Sequence, residues 1–192
     1  MAALRMGSAL DVLAQPVLPR GRRCSCATTP SNERLAQVKV AVGPVGNVAE
    51  HSFTVKRKLG ALSTIIVVTI AKPLGIVFEL SKVVNRRIFV AELIPNGNAD
   101  RAARVNKLFE GKSSSRESKY GRIIYGGGVN VGDLLLATTA VNVEVDLFGL
   151  RAPRRIITFF DAENRTWAET MGAIQSSFVA DGPVTLVLER ES

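Results

Sequence analysis

Residues 63–80 read STIIVVTIAKPLGIVFEL. The first ten are dominated by Ile, Val and Thr, whose branched Cβ favours a pleated, extended chain over a helix. The last five alternate, with Ile76, Phe78 and Leu80 on one side. Between the runs stands Lys72-Pro73-Leu74-Gly75. Proline fixes its own φ, and glycine accepts backbone angles closed to other residues, so the chain turns sharply there. Two strands joined by so tight a turn predict a mainly β chain. They also raise a chemical question, because successive amides in a tight turn form a nest for an anion.

More strands follow. RIFVAELI (87–94) reads as a strand, and PNGNAD (95–100) as a turn leading into a helix. Asn98 is the expected cap of a helix that starts ADRAARVNKLFEG, and Gly111 its expected end. Residues 112–128, KSSSRESKYGRIIYGGG, read as a solvated insertion around a short strand, RIIY, with the triple glycine as a hinge. That glycine run lacks the Lys-Ser/Thr of a phosphate-binding loop. Gly132–Asp133 forms a turn before the strand LLLATTAV, and VEVDLFGL and RRIITFF extend the strand-rich part. DAENRTWAETMGAIQSSF (161–178) is the second expected helix, with Trp167, Met171, Ile174 and Phe178 at spacings of four, three and four. Such spacing also fits plain core packing for Met171, Ile174 and Phe178. Gly182–Pro183 turns into a last strand, VTLVLER, with Val184, Leu186 and Leu188 on one face.

The N-terminal third differs. Residues 1–30 carry four arginines and one acidic residue, Asp11, among many Ala and Ser, which is the composition of an organelle transit peptide. Residues 31–61 read as a disordered linker with at most a short strand at Val38–Val42. Residues 62–192 form the expected domain. The sole histidine, His51, and both cysteines, Cys24 and Cys26, precede it. Ser–His and Cys–His nucleophile pairs, His/Cys zinc sites and disulfides are thereby excluded from that domain. No catalytic residue, metal or cofactor is expected, and the chain is read as non-enzymatic. Apolar runs such as IIVV fall far short of the roughly 18 residues of a membrane span. The net charge of +8 divides into +3 over residues 1–55 and +5 over 56–192, a mild bias toward acidic partners.

Taken in order, PLGIVF (73–78), IFVAELIPNGNADRAA (88–103), VGDLLLATTAV (131–141) and TWAETMGAI with VTLVLER resemble a PDZ domain. The resemblance covers about residues 62–191 and is closest to the single PDZ-like domains of plant and algal plastid proteins. It implies a partly open antiparallel β-barrel capped by two α-helices. It also implies a non-catalytic scaffold or adaptor in a plastid, with a mitochondrion as the alternative location. Such a domain binds peptide C-termini, or an internal strand, by adding the peptide to a sheet edge.

The resemblance also assigns residues. Lys72, Pro73, Leu74, Gly75 and Ile76 form the carboxylate-binding loop, with the amides of Leu74, Gly75 and Ile76 as donors. Pro73 stands where the family more often has glycine. The basic residue usual upstream of the loop falls here on Thr69. Lys72 is either its substitute or a solvated surface lysine. Phe78, with Ile76, lines the pocket for the last ligand side chain, while Trp167, Met171 and Ile174 form the helix wall. A shift by one would put Thr166 in place of Trp167. Indole donates but does not accept hydrogen bonds, so Trp167 implies an apolar ligand residue two positions before the C-terminus. The alternative is a basic adaptor to anionic membrane or nucleic acid, using Arg86, Arg87, Arg151, Arg154, Arg155, Lys112, Arg116, Lys119 and Arg122. Few aromatic residues are free to stack on bases, which disfavours nucleic acid.

Overall fold

The computed structural model describes residues 35–81, 87–108, 115–118, 121–145, 152–163 and 165–191. In chain order the elements are β1 (Leu35–Pro44), β2 (Ala49–Lys56), β3 (Thr64–Ile70), β4 (Ile76–Leu80), β5 (Ile88–Leu93) and α1 (Asn98–Leu108). β6 (Ser115–Ser118), β7 (Gly121–Tyr125), β8 (Leu134–Glu144), β9 (Arg154–Asp161), α2 (Trp167–Gln175) and β10 (Val184–Arg190) follow.

β3 organises the rest. It pairs antiparallel with β10 from Thr64↔Arg190 to Ile70↔Val184, and parallel with β7 on its other edge. Its side chains are buried on both faces. Ile66, Val68 and Ile70 enter one core cluster, Ile65 and Val67 the other. A strand covered on both faces needs no polar side, which is why IIVV runs unbroken. β10 behaves alike: Val184, Leu186 and Leu188 share the first cluster, as their alternation predicts, and Val187 joins the second. The strands follow the order β2-β1-β9-β8-β10-β3-β7-β6, and the β4–β5 pair attaches through β5 to β8. The result is mainly β: a curled, partly open barrel with two helices, as the PDZ-like reading anticipates.

The linker expected over residues 31–61 is corrected from Leu35 onward. β1 and β2 form an antiparallel hairpin, paired from Leu35↔Lys56 to Val42↔Ala49. Ala36, Val38, Val40 and Val55 bury against the outer face of the sheet. Phe53 stacks on Phe159 with ring centroids 4.2 Å apart. The hairpin is thus the lid of the second core cluster. Its far end is pinned by a polar cluster in which buried Glu189 accepts hydrogen bonds from the Lys58 and Leu59 amides and from the Ser63 hydroxyl.

The insertion is also less solvated than expected. RIIY is β7, and Ile123 is buried in the second cluster. Nor is the triple glycine a simple hinge. A Cβ on Gly128 would stand 2.7 Å from the Cα of Ala103, so the glycine lets α1 approach the chain closely. Asp133 is both turn former and receptor. It accepts the Asn130 amide at 2.8 Å and the Arg190 guanidinium at 2.7 and 2.8 Å. Residues 1–30, with the transit-peptide composition, and Gly111 lie outside the described residues.

Candidate functional site

The Pro-Leu-Gly turn is held from behind by its carbonyl oxygens. Ala99 N donates to Leu74 O and Ile94 N to Gly75 O, both at 2.9 Å. Asn98 was expected to cap α1. Its side-chain amide instead donates to Ala71 O and Pro73 O, each at 3.0 Å, and clamps the loop to the start of the helix. Among the described residues, no turn or loop hydrogen bond uses the amides of Leu74, Gly75 or Ile76 as donors. Gly75 has φ +71°, and a Cβ there would stand 2.9 Å from the Cα of Gly97. Only glycine meets both demands.

Among the described residues, β4 pairs on one edge only, with β5. The bond from Ile94 N to Gly75 O makes Ile76↔Leu93 a non-hydrogen-bonded pair of the antiparallel ladder. The N–H and C=O of Ile76 therefore point away from β5, toward the unpaired edge. Leu74, Ile76 and Phe78 are half-buried and pack against the first core cluster.

α2 supplies the opposite wall, packing principally on β8. Thr166 begins it as N-cap: its hydroxyl accepts the Glu169 amide at 3.2 Å, while Glu169 accepts the Thr166 amide at 2.8 Å. The bonds that the Glu169 carboxylate accepts from the Thr166 amide and then from its hydroxyl hold its pKa below the usual range. With its hydroxyl so engaged, Thr166 does not replace Trp167 at the wall. Trp167 and Met171 are half-buried against the same cluster as Ile76 and Phe78. Ile174 lies on the core side of the helix wall: it is 6% exposed, beside buried Thr170 and Ala173.

Lys72 is neither solvated nor aimed squarely at the loop. Its ammonium donates to Ile174 O at 2.7 Å and Ser177 O at 2.5 Å, neutralising the C-terminal end of α2. Burial lowers its pKa, opposed by the charge of Asp181. The lysine is thus a strut between the loop and the helix. Thr69, at the family's basic position, lies within hydrogen-bond distance of Thr185, 3.0 Å between hydroxyls.

Beyond the Leu80 end of β4, the trough opens into a cavity of about 610 Å³. Leu80, Ile88, Leu135 and Trp167 give it apolar wall, and Lys56, Lys58, Arg87 and Arg165 stand around it with Asp161 and Glu163. Lys56 and Lys58 come from the hairpin and the turn after it, which the linker reading hid. The period-two run Ala36, Val38, Val40, Val42, followed by a Gly-Pro-Val-Gly-Asn turn, is the signal that identifies them as part of the fold.

The basic residues of the alternative reading are dispersed. Arg155 is engaged bidentately by Asp181 at 2.6 and 2.7 Å. Arg87 faces the cavity, Arg154 and Arg122 are exposed on separate strands, and Arg86, Lys112, Lys119 and Arg151 lie outside the described residues. Among the described residues, no three of His, Cys, Asp and Glu gather closely enough to hold a metal ion, and no helix is long and apolar enough to cross a membrane. Compared with family models, curated proteins and solved structures, the chain matches none.

Proposed function

We propose that this chain is a non-catalytic, PDZ-like interaction module that binds the C-terminal segment of a partner polypeptide along β4. One observation carries the reading. Among the described residues, β4 has an unpaired edge, its Ile76 and Phe78 pack on the same core cluster as Trp167 and Met171 of α2, and it starts from a loop whose carbonyls accept turn hydrogen bonds and whose amides donate none. A terminal carboxylate needs converging N–H donors, and Leu74, Gly75 and Ile76 supply them. An incoming strand needs a free ladder edge, and Ile76 begins one. The last ligand side chain then meets Ile76 and Phe78, while Trp167 and Met171 favour an apolar residue two positions earlier. The arginine-rich, acid-poor composition of residues 1–30 supports an organelle address, and the resemblance to plastid PDZ-like proteins favours a plastid, where the module would serve as a scaffold or adaptor.

Trp167 is the only tryptophan and stands in the proposed groove, so it reports on occupancy. Its fluorescence should respond to peptides that end in an apolar residue with a free carboxylate. Dissociation constants should be micromolar, near about −8 kcal/mol. The same peptides with amidated ends should bind about tenfold more weakly or not at all. Silence across a broad library, by fluorescence and by calorimetry, would remove the reading.

A further inference from the structure

The cavity beyond Leu80 carries an uneven set of charges. Lys58 pairs with Glu163, and Glu163 N donates to Asp161. Arg165 lies 3.8 Å from Glu169 at the exposed rim. Arg87 donates to the backbone oxygen of Lys58 at 3.2 Å, and no described carboxylate pairs with it. The Lys56 side chain is exposed and has no ion-pair partner among the described residues. Among the described residues Lys56 and Arg87 thus have no carboxylate partner and Asp161 has no cation partner, so the lining keeps an excess of positive charge around a concavity with apolar walls.

Its position gives that charge a direction. Leu80 and Trp167, at the end of β4 and the start of α2, both line the cavity. The loop amides lie at the opposite end of β4. A peptide with its carboxylate on those amides runs antiparallel to β4, so its upstream residues pass between Leu80 and Trp167. Four steps of strand from Ile76 to Leu80 span about 13 Å. Residues about four or more before the ligand C-terminus therefore reach the cavity.

We infer, resting on the peptide-binding reading above, that the cavity is an upstream subsite selecting acidic residues, so that the preferred ligand is an acidic segment followed by an apolar C-terminus. Charge complementarity argues for this occupant. A basic ligand segment would face Lys56 and Arg87 with only Asp161 to offset them, and a neutral one would leave their charge unused. The hairpin that closes the sheet thereby contributes to specificity as well as to the core.

The test uses fluorescein-labelled decapeptides with one apolar C-terminus and Glu, Ser or Lys at the fourth to sixth positions before the end. Polarisation is measured on the full chain at low and high salt. The Glu peptide should bind at least about fivefold tighter than the Ser peptide at low salt, since exposed pairs contribute up to about fivefold each. The advantage should shrink as salt rises. Lys56→Glu, at an exposed position, and Arg87→Glu, at a half-buried one, should abolish it and improve binding of the Lys peptide. Equal binding of all three peptides, still lost on C-terminal amidation, overturns the subsite and leaves the groove intact. Tight binding of the amidated Glu peptide overturns the subsite too, because the patch would then be a general polyanion surface. No binding of any peptide removes the subsite together with the groove.

Discussion

Gly75 and Gly97 meet backbone to backbone: a Cβ on Gly75 would stand 2.9 Å from the Cα of Gly97, and one on Gly97 would stand 3.1 Å from the Cα of Gly75. The contact seats the Pro-Leu-Gly loop against the turn that precedes α1. Gly75→Ala must therefore bear two costs, a left-handed backbone and a displaced neighbour. Together these should total about 2–3 kcal/mol. Gly46→Ala is the control, since Gly46 also has positive φ but nothing within 4 Å of an added Cβ. It should lose only about 1 kcal/mol. Urea denaturation of both variants separates the two costs, and equal losses would show that the close approach is unimportant.

The first turn of α2 carries Trp167, and Thr166 and Glu169 close that turn reciprocally. Removing the cap with Thr166→Ala should destabilise the protein by about 1 kcal/mol. Thr166→Ser should restore most of it. Because the frayed turn holds the groove wall, peptide affinity measured by calorimetry should fall in the Ala variant and recover in the Ser variant. Unchanged affinity in Thr166→Ala would mean that Trp167 contributes little to the groove.

Sequence legibility followed the strength of the local signal. The β-branched run of β3 and the alternation of β10 are visible because burial dictates nearly every residue. Trp167 and Met171 are visible because helical spacing sets them on one face. The β1–β2 hairpin escaped because its inward residues include alanine, and β2 shows only Phe53 and Val55 between polar residues. The clamp by Asn98 and the strut by Lys72 escaped for another reason. Each joins segments remote in sequence, and a helix-cap asparagine or a surface lysine is the cheaper local explanation.

Glu189 sits fully buried in β10, and the chain after β2 folds around its carboxylate. It accepts Lys58 N at 2.7 Å, Leu59 N at 3.0 Å and the Ser63 hydroxyl. The Arg57 guanidinium donates to the Ser63 carbonyl close by. Burial lowers the Arg57 pKa, and the charge of Glu189 opposes that shift. Glu189→Ala leaves the Lys58 and Leu59 amides and the Ser63 hydroxyl without this acceptor and the buried Arg57 without the nearby opposite charge, which should cost about 3–5 kcal/mol. Glu189→Gln keeps one acceptor but turns an NH₂ toward donors, so its loss should be intermediate. Amide exchange at Lys58 and Leu59 should accelerate in both variants. An Ala variant as stable as the parent would refute this anchoring role.

Asp181 closes the far end of α2. Its carboxylate receives the Arg155 guanidinium at 2.6 and 2.7 Å and the Phe178 amide at 2.6 Å. The Arg155 bond, more than the opposing burial, holds its pKa below the ordinary carboxylate value. A group whose pKa is depressed by folding stabilises the folded state at pH values above its unfolded pKa, near about 4. That stability is lost as pH falls toward the lower folded value. The parent protein should therefore lose stability steadily below about pH 4. Asp181→Asn should be less stable at pH 7, and its acid limb should be shallower. Asp100 and Glu169 also have depressed pKa values and remain in both proteins, so a residual slope is expected in the variant. The difference between the two curves isolates Asp181. Thermal unfolding midpoints between pH 2.5 and 7 provide the measurement. Parallel curves would mean that the Arg155–Asp181 pair contributes nothing to the acid response, and that α2 is held at this end by Lys72 and by the Val141 amide on Ser176.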